Sequence, residues 1–272
     1  MTESKVSEEK PQVGSELDIP GVGMDRWWLL VIAVVGMIIF LVSAIPDPFA
    51  RAIKFMSDGI LTSILVTVSS FILVAVLGLF GGLGRLSKNK VIKTLATLYV
   101  EIIRGIPLMV QIFYWYFAFP ALIQKLGSIL HFAPFENYLA NPIAMAILGI
   151  TVCYAAYMSE IYRAGIQSIG KGQIEAARSL GMSQTQAMRY IILPQALRVV
   201  LPPMGNEFIS LLKDSSLVSV VAVADLTRRG REFSSSTATP IETWTLVALI
   251  YLVMTILSAR VVTWIERKTK QA

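Results

Sequence analysis

Six mainly apolar stretches alternate with polar segments along this chain. The stretches are residues 27–45, 59–84, 105–123, 142–159, 199–225 and 244–265. A helix needs about 20 mainly apolar residues to cross the hydrocarbon core of a bilayer. The first two stretches contain no charged residue at all, and the fifth is interrupted by Pro202 and Pro203. The pattern predicts an all-α membrane protein with six transmembrane helices.

Lys and Arg are unequally divided between the two sides of these predicted spans. With the N-terminus on the cytoplasmic side, fifteen of them fall in cytoplasmic segments and six outside. Cytoplasmic loops carry an excess of such residues, so both termini and the long loop 160–198 are expected in the cytoplasm. The net charge of +6 follows from this bias and needs no nucleic-acid partner. Residues 1–26, rich in Glu, Lys, Ser and Pro, are expected to form a disordered cytoplasmic tail.

Composition excludes several kinds of site. Mean hydropathy is +0.65, and the chain contains one cysteine, Cys153, and one histidine, His131. No disulfide, cysteine metal site or histidine cluster is therefore available, and we expect no bound cofactor. No phosphate-binding loop occurs either. If ATP drives this protein, the ATPase must be a separate polypeptide, and the chain itself is not an enzyme.

A polar loop, EAARSLGMSQTQAMRYIILP at 175–194, stands out from the apolar background. Gly181 is well placed to end a helix over 173–180 in a left-handed conformation, and Ser183 with Gln186 can form a capping box for a second helix. Ala176, Ala177 and Leu180 would share one face of the first helix, beside the charge of Glu175. The loop therefore predicts a compact knob that enters a groove on a soluble partner. A solvated linker with no partner is the alternative.

Two carboxylate–arginine pairs lie at or near membrane depth. Glu101 and Arg104, and again Glu160 and Arg163, are three residues apart and so share a helix face. Charges in a membrane are costly unless paired. Structural ion pairs are the favoured interpretation of both. Gly105 and Pro107 are expected to break the helix that follows the first pair.

The fifth span contains the run LLKDSSLVSV at membrane depth. Asp214 or Ser215 could cap a new half-helix near Ser216, whose N–H groups would then be available to an anion. A zwitterionic ligand could bind there with its carboxylate on Ser216 and Leu217, assisted by both serine hydroxyls. Its ammonium group would need Asp214 or Glu160. The alternative is a Lys213–Asp214 pair that only stabilises the break.

Three segments together resemble a known family. They are EIIRGIPLMVQIFYWYF at 101–117, YMSEIYRAGIQSIGKGQIEAARSLGMSQTQAMRYIILP at 157–194 and QALRVVLPPMGNEFISLLKDSSLVSVV at 195–221. They are similar to the permease subunits of polar amino acid ABC importers, the histidine/glutamine type. The spacing of Glu175, Ala176, Ala177, Leu180, Gly181 and Pro194 matches the family's ATPase-coupling loop.

The resemblance implies a type I importer transmembrane domain over 59–265, with 27–45 as one extra N-terminal helix. It further implies transport of polar amino acids by alternating access in a bacterial inner membrane. The expected partners are an ATPase subunit dimer that binds the ATP, a second permease subunit, a solute-binding protein and membrane lipid. The amino acid, and whether the dimer is homo- or heteromeric, stay open.

An ion-coupled secondary transporter is the alternative class. It would use intramembrane carboxylates such as Glu160 and Asp214 for coupling and would need no ATPase. The coupling loop argues against it, because such a transporter has no use for a knob of this kind. A channel is less favoured still, since no charge ring or filter-like repeat occurs.

Overall fold

The computed structural model describes residues 26–271, and this part of the chain is helical with no strand. The predicted tail lies almost wholly outside the described residues. The helices are α1 Arg26–Ala44, α2 Pro46–Arg85, α3 Lys90–Gly105, α4 Leu108–Phe113, α5 Phe119–Leu130, α6 Ala133–Glu136, α7 Pro142–Gln167, α8 Lys171–Ser179, α9 Gln184–Ala187, α10 Leu193–Asp214, α11 Leu226–Thr237 and α12 Pro240–Gln271. π-helical segments join α4 to α5 and α9 to α10, and a 3₁₀ segment, Ser215–Val220, follows α10.

Three of these helices are long and apolar enough to cross a membrane, namely α2, α7 and α12. A fourth span is formed if α3 and the helical segment Leu108–Leu130 count together, although they meet at an angle of 104°. Helix α1 is apolar but shorter, and α10 carries charged residues along its length. The prediction of an all-α membrane protein is confirmed, and the expected break at Gly105–Pro107 is present.

The fifth predicted span is not one helix. Helix α10 ends at Asp214, the 3₁₀ segment continues to Val220, and α11 begins only at Leu226. Asp225 caps α11 by accepting hydrogen bonds from the N–H groups of Thr227 (3.2 Å) and Arg228 (2.9 Å). The sequence prediction ran the span through to this residue because 216–223 is apolar.

Small residues let α2 and α7 pack closely at the centre of the molecule. A Cβ on Gly78 would lie 2.6 Å from Met158 Cβ, and one on Gly82 would lie 2.9 Å from Tyr162 Cβ. Around this contact lies the main core, which includes Val66, Val74, Ile112, Ile150, Met158, Leu211 and Val218. Close approach at glycine is a usual way for membrane helices to associate. Helix α7 therefore has a fixed position, which matters because both candidate sites below are built on it.

A separate cluster joins the N-terminal part of α2 to α11 and α12. Its buried members include Phe49, Met56, Leu226, Phe233 and Leu246. Beside it, Arg229 Nε lies 3.0 Å from Asp58 Oδ2, and Arg228 Nε lies 2.9 Å from Glu232 Oε1. Hydrogen bonds from Arg228 and Arg229 hold the pKa of the Glu232 carboxyl below its usual value. Arg228 and Arg229 are thus both paired with acidic residues of the same chain.

Candidate coupling and substrate sites

The knob is held by two local motifs that the sequence predicts. Gly181 has φ +76° and follows α8 in a Schellman arrangement. Its N–H donates to Arg178 O (2.9 Å), while Met182 N–H donates to Ala177 O (3.1 Å). Ser183 then begins α9 with a complete capping box, in which Gln186 N–H donates to Ser183 Oγ and Ser183 N–H donates to Gln186 Oε1. Both predictions are confirmed.

One residue of the predicted docking face points the other way. Ala177 is buried, with 2 % of its surface exposed, because α8 packs against α9 and the π segment that follows. Leu180 is 81 % exposed, and Glu175 and Ala176 are exposed beside it. The exposed face of α8 is therefore formed by Glu175, Ala176 and Leu180. Ala177, which was predicted to belong to this face, is buried inside the knob.

The knob is tied to the core of the molecule at both ends. Only three residues, 168–170, separate α7 from α8. On the other side, α9 runs through the π segment Met188–Ile192 into α10 without a gap, and Pro194 lies in the first turn of α10. Proline has no N–H to donate, and it follows directly on the π segment, where the helical hydrogen-bond pattern changes. A movement of the knob would therefore pass directly to α7 and α10.

An ion network lies where α7 approaches the knob. The Glu160 carboxylate accepts hydrogen bonds from Arg163, as predicted, and also from Arg85 at the end of α2. Arg163 additionally donates to the side chain of Gln167. Both oxygens of Glu160 are engaged by guanidinium groups, so this carboxylate is poorly placed to receive an ammonium group. We move it from the candidate substrate contacts to the structural pairs.

The other predicted pair does not form. No ion pair joins Glu101 to Arg104 among the described residues, and Glu101 is exposed. The Arg104 guanidinium instead lies over the ring of Tyr157 on α7, 5.0 Å from its centroid. Such a cation–π contact is worth roughly 0.5–2 kcal/mol. Spacing along one helix could not reveal it, because Tyr157 belongs to another.

The predicted half-helix near Ser216 is also absent. The chain tightens from α10 into the 3₁₀ segment with no side-chain cap at Asp214. Ser215 N–H donates to Leu211 O and Lys213 O, and the buried Ser215 hydroxyl donates to Leu212 O (2.8 Å). Ser215 is therefore occupied within its own helix. Ser216 and Leu217 are partly buried and remain only candidate contacts.

Asp214 makes a contact that the sequence did not suggest. Its Oδ2 accepts a hydrogen bond from the hydroxyl of Tyr154 on α7 (2.7 Å), and the structure contains no Lys213–Asp214 ion pair. Tyr154 and Tyr157 lie one turn apart with ring centroids separated by 6.1 Å. The two rings thus place Asp214 near one end of an aromatic patch and Arg104 near the other.

Glu207 completes this group, which we call the polar cluster: Arg104, Tyr154, Tyr157, Glu207 and Asp214. Glu207 is half-buried on α10 and interacts electrostatically with Arg104 and with Asp214. It lies seven positions before Asp214, which is two helical turns, or about 10 Å along the helix axis. That spacing was available in the sequence and could have pointed to Glu207. The cluster brings carboxylates and a guanidinium to one aromatic patch, and these are the groups that an amino acid's ammonium and carboxylate require.

An apolar cavity of about 230 Å³ lies elsewhere, between α2, α10 and α12. Phe71, Met204, Phe208 and Val262 are among its lining residues, and Glu266 is at its edge. Charged ligand groups need charged or hydrogen-bonding partners when they leave water. Since this cavity has almost no polar surface, the polar cluster is the better candidate for a polar ligand.

Comparison with known proteins places the chain in a family. Residues 74–271 match the family described as binding-protein-dependent transport system inner membrane component. The chain belongs to this family. The match includes the knob and the whole polar cluster, and it excludes α1.

Individual relatives agree with this assignment. The chain is 37 % identical over 231 residues to a probable glutamine ABC transporter permease protein, GlnM, of Bacillus subtilis, covering 85 % of this chain and 99 % of the relative. It is 34 % identical to the glutamine transport system permease protein GlnP of Escherichia coli, covering 80 % and 94 %. It is 34 % identical to the arginine transport system permease protein ArgU of Corynebacterium glutamicum, covering 93 % and 81 %.

Solved structures confirm the predicted type I importer fold. A crystal structure of an amino acid ABC transporter with histidines matches with a TM-score of 0.71 and 36 % identity, covering 80 % of this chain and 96 % of that one. An inward-facing structure of the MetNI methionine ABC transporter matches with a TM-score of 0.63, covering 80 % and 98 %. At 20 % identity the second match supports the fold alone.

Proposed function

We propose that this chain is the membrane-spanning permease subunit of an ATP-driven importer that moves polar amino acids by alternating access. The knob is the observation that carries the proposal. It has an exposed face of Glu175, Ala176 and Leu180, a rigid Schellman turn and capping box, and direct continuity with α7 and α10. A separate ATPase subunit would bind the ATP, close on its partner ATPase, and push the knob.

The remaining partners follow from the family. A second permease subunit, identical or different, would supply a second knob, and a solute-binding protein would deliver the amino acid from outside. We place the knob and both termini in the cytoplasm of a bacterial inner-membrane system because the Lys and Arg bias favours that orientation. The relatives described above are glutamine and arginine permeases, and none of them supports the ion-coupled alternative.

The amino acid is proposed to bind at the polar cluster. Its ammonium group would meet Asp214, whose other oxygen is fixed by Tyr154, and its carboxylate would meet Arg104. A guanidinium matches a carboxylate in shape and charge. Ser216 and Leu217 stay candidate contacts on the same stretch. Transport would require only binding and release, so no nucleophile is needed.

Leu180→Asp tests the knob directly. The substitution places a charge in the groove that the exposed leucine is proposed to enter, while Ala177 and both turns stay intact. We expect co-purification of the ATPase subunit and ATP-dependent uptake in proteoliposomes to fall at least about tenfold. Leu139→Asp, at a residue that is 89 % exposed between α6 and α7, is the matched control. Wild-type uptake and ATPase association in Leu180→Asp would overturn the proposal.

A further inference from the structure

We propose that Arg85 is a positioning residue for coupling, because its ion pair with Glu160 makes α2 move together with α7 when the knob is pushed. The inference rests on the proposed function, since it concerns how the same knob acts on the membrane-spanning helices. Chain continuity links the knob directly to α7 and α10, whereas α2 lies far earlier in the chain. A contact in space must therefore carry the movement of the knob to α2.

The ion pair between Arg85 and Glu160 joins two different helices. Arg85 is the last residue of α2, and its Nη1 donates to Oε2 of Glu160 on α7. Arg163 donates to the same carboxylate, through Nη2 to Oε1 and through Nε to Oε2 (3.2 Å), but it belongs to α7 itself. Of these two partners of Glu160, only Arg85 can hold one helix to the other.

This ion pair is largely shielded from solvent. The Arg85 side chain is 15 % exposed and that of Glu160 is 29 % exposed. By contrast, Arg51 and Asp47, which pair within α2 (3.1 Å), are 64 % and 72 % exposed. Exposed ion pairs contribute little because water screens them, whereas a shielded charge-assisted hydrogen bond is stronger and more directional. The Arg85–Glu160 contact therefore has the strength to hold two helices in one relative position.

The packing beside this ion pair gives it a specific task. About one turn before Arg85, a Cβ on Gly82 would lie 2.9 Å from Tyr162 Cβ and 3.0 Å from Ser159 O. The backbone of α2 thus approaches α7 with no side chain of its own at that point. Glycine permits such an approach, but it has nothing to interlock with the neighbouring helix and so resists sliding poorly. The ion pair fixes the register of α2 against α7 at this end.

Further hydrogen bonds continue from this ion pair to the knob. Arg163 binds Glu160 and also donates to the side chain of Gln167. Gln167 is the last residue of α7, and three residues separate it from α8. The end of α2 is therefore linked, through side chains of α7, to the start of the knob. Because α2 leads through residues 86–89 into α3, which carries Arg104, a movement of α2 would also reach the polar cluster.

Loss of the Arg85 contact should separate ATP hydrolysis from transport. In Arg85→Met the side chain keeps its length but cannot donate, and Arg163 still pairs with Glu160, so no carboxylate is left without a partner. The knob and its exposed face are unchanged. We therefore expect ATPase activity to persist, while the amount of amino acid taken up per ATP hydrolysed falls about tenfold, as for the loss of one hydrogen bond between charged groups.

Proteoliposomes that contain the permease and its ATPase subunit, with the solute-binding protein added, provide the test. Uptake of a radiolabelled mixture of polar amino acids, including glutamine and arginine, is measured beside phosphate release in the same vesicles. The ratio of the two does not depend on how much of a variant folds. Arg85→Lys, which restores a cationic donor, should recover part of the ratio. Arg51→Met, which removes the exposed ion pair on the same helix, is the matched control and should keep the wild-type ratio.

The outcomes separate this inference from the proposed function. A wild-type ratio in Arg85→Met would overturn the role of Arg85 and leave the importer function standing. Equal losses of uptake and ATPase activity in both Arg85→Met and Arg85→Lys would overturn it too, because the residue would then only support folding. If wild-type vesicles show no ATP-dependent uptake of any amino acid in the mixture, the proposed function itself fails, and the role of Arg85 in coupling fails with it.

Discussion

At the scale of single residues, Gly181 is the position where the knob depends most on one side chain being absent. Its φ of +76° costs other residues roughly 1–2 kcal/mol, although a Cβ there would meet nothing within 4 Å. Gly181→Leu should therefore loosen the turn without a clash. We expect weaker association of the ATPase subunit and lower uptake, measured by co-purification and in proteoliposomes.

Gly172→Ala is the matched control for this prediction. Gly172 lies within α8, its added Cβ would also meet nothing within 4 Å, and its φ lies outside the left-handed region. Alanine favours helix over glycine by about 1 kcal/mol, so this variant should retain both properties. Wild-type coupling in Gly181→Leu would mean that the left-handed turn is dispensable.

Predictions about single residues were confirmed where they depend on hydrogen bonds between near neighbours in the sequence. The turn at Gly181 and the capping box of Ser183 and Gln186 use hydrogen bonds between residues three to five positions apart, and sequence spacing alone suffices to find them. The partners of Arg104 and Asp214 are Tyr157 and Tyr154, more than fifty residues distant. Nothing in a single sequence says which face of α7 meets α3 and α10, so these contacts needed the structure.

At the scale of helices, the bend between α3 and α4 depends on Gln111. Pro107 has no N–H to donate, and the side-chain amide of Gln111 supplies hydrogen bonds to Ile103 O and Ile106 O, both at 2.9 Å. Gln111 is only 4 % exposed. This side chain therefore compensates the break that proline introduces, next to the end of α3 that carries Arg104.

Gln111→Leu should destabilise this bend. Ile103 O keeps the backbone N–H of Ile106 (3.3 Å), but Ile106 O loses its side-chain donor. A carbonyl left without a donor away from water costs about 1–3 kcal/mol, and thermal unfolding in detergent should move down by roughly 2–4 °C per kcal/mol. Gln124→Leu is a fitting control, because the Gln124 side chain also donates to a carbonyl, Tyr138 O, but at an exposed position. An unfolding temperature in Gln111→Leu no lower than in the control would contradict this account.

Helix positions were predictable to different degrees. Long apolar stretches located α1 and the apolar parts of α2 and α12, and Gly105–Pro107 located the bend. The end of α10 was misjudged because Asp214 and Ser215 have the composition of an N-cap. In the structure the backbone tightens into 3₁₀ geometry instead, and the carbonyl oxygens of Leu211 and Lys213 accept the N–H of Ser215. Composition cannot distinguish a cap from a tightened helix end.

At the scale of the whole molecule, α1 is peripheral. It packs against α2 and α12, but only Val31 among its described residues is buried, while Ile32 and Phe40 are 55 % and 63 % exposed. The family match begins at residue 74, and the Bacillus glutamine permease, 99 % of which is aligned, covers 85 % of this chain. The match to the Corynebacterium arginine permease covers 93 % of this chain. The unmatched part is too short to contain all of residues 1–44, so at least part of α1 is aligned. The alignment with the arginine permease thus extends into α1, whereas the family match does not include this helix.

Deletion of residues 1–44 should therefore leave transport intact. The knob, the polar cluster and the α2–α7 contact all lie outside the deleted part, and the Lys and Arg bias of the remaining loops still favours the same orientation. We expect membrane insertion, ATPase association and ATP-dependent uptake per inserted molecule close to those of the full-length chain, with some loss of thermal stability where α1 covered α12. Deletion of residues 1–25 alone, which keeps α1, separates an effect of the tail from an effect of the helix. A variant lacking 1–44 that inserts and binds its ATPase but no longer transports would contradict this expectation and give α1 a direct part in the transport cycle. The exposed surface of α1 would then be explained by a contact with the second permease subunit.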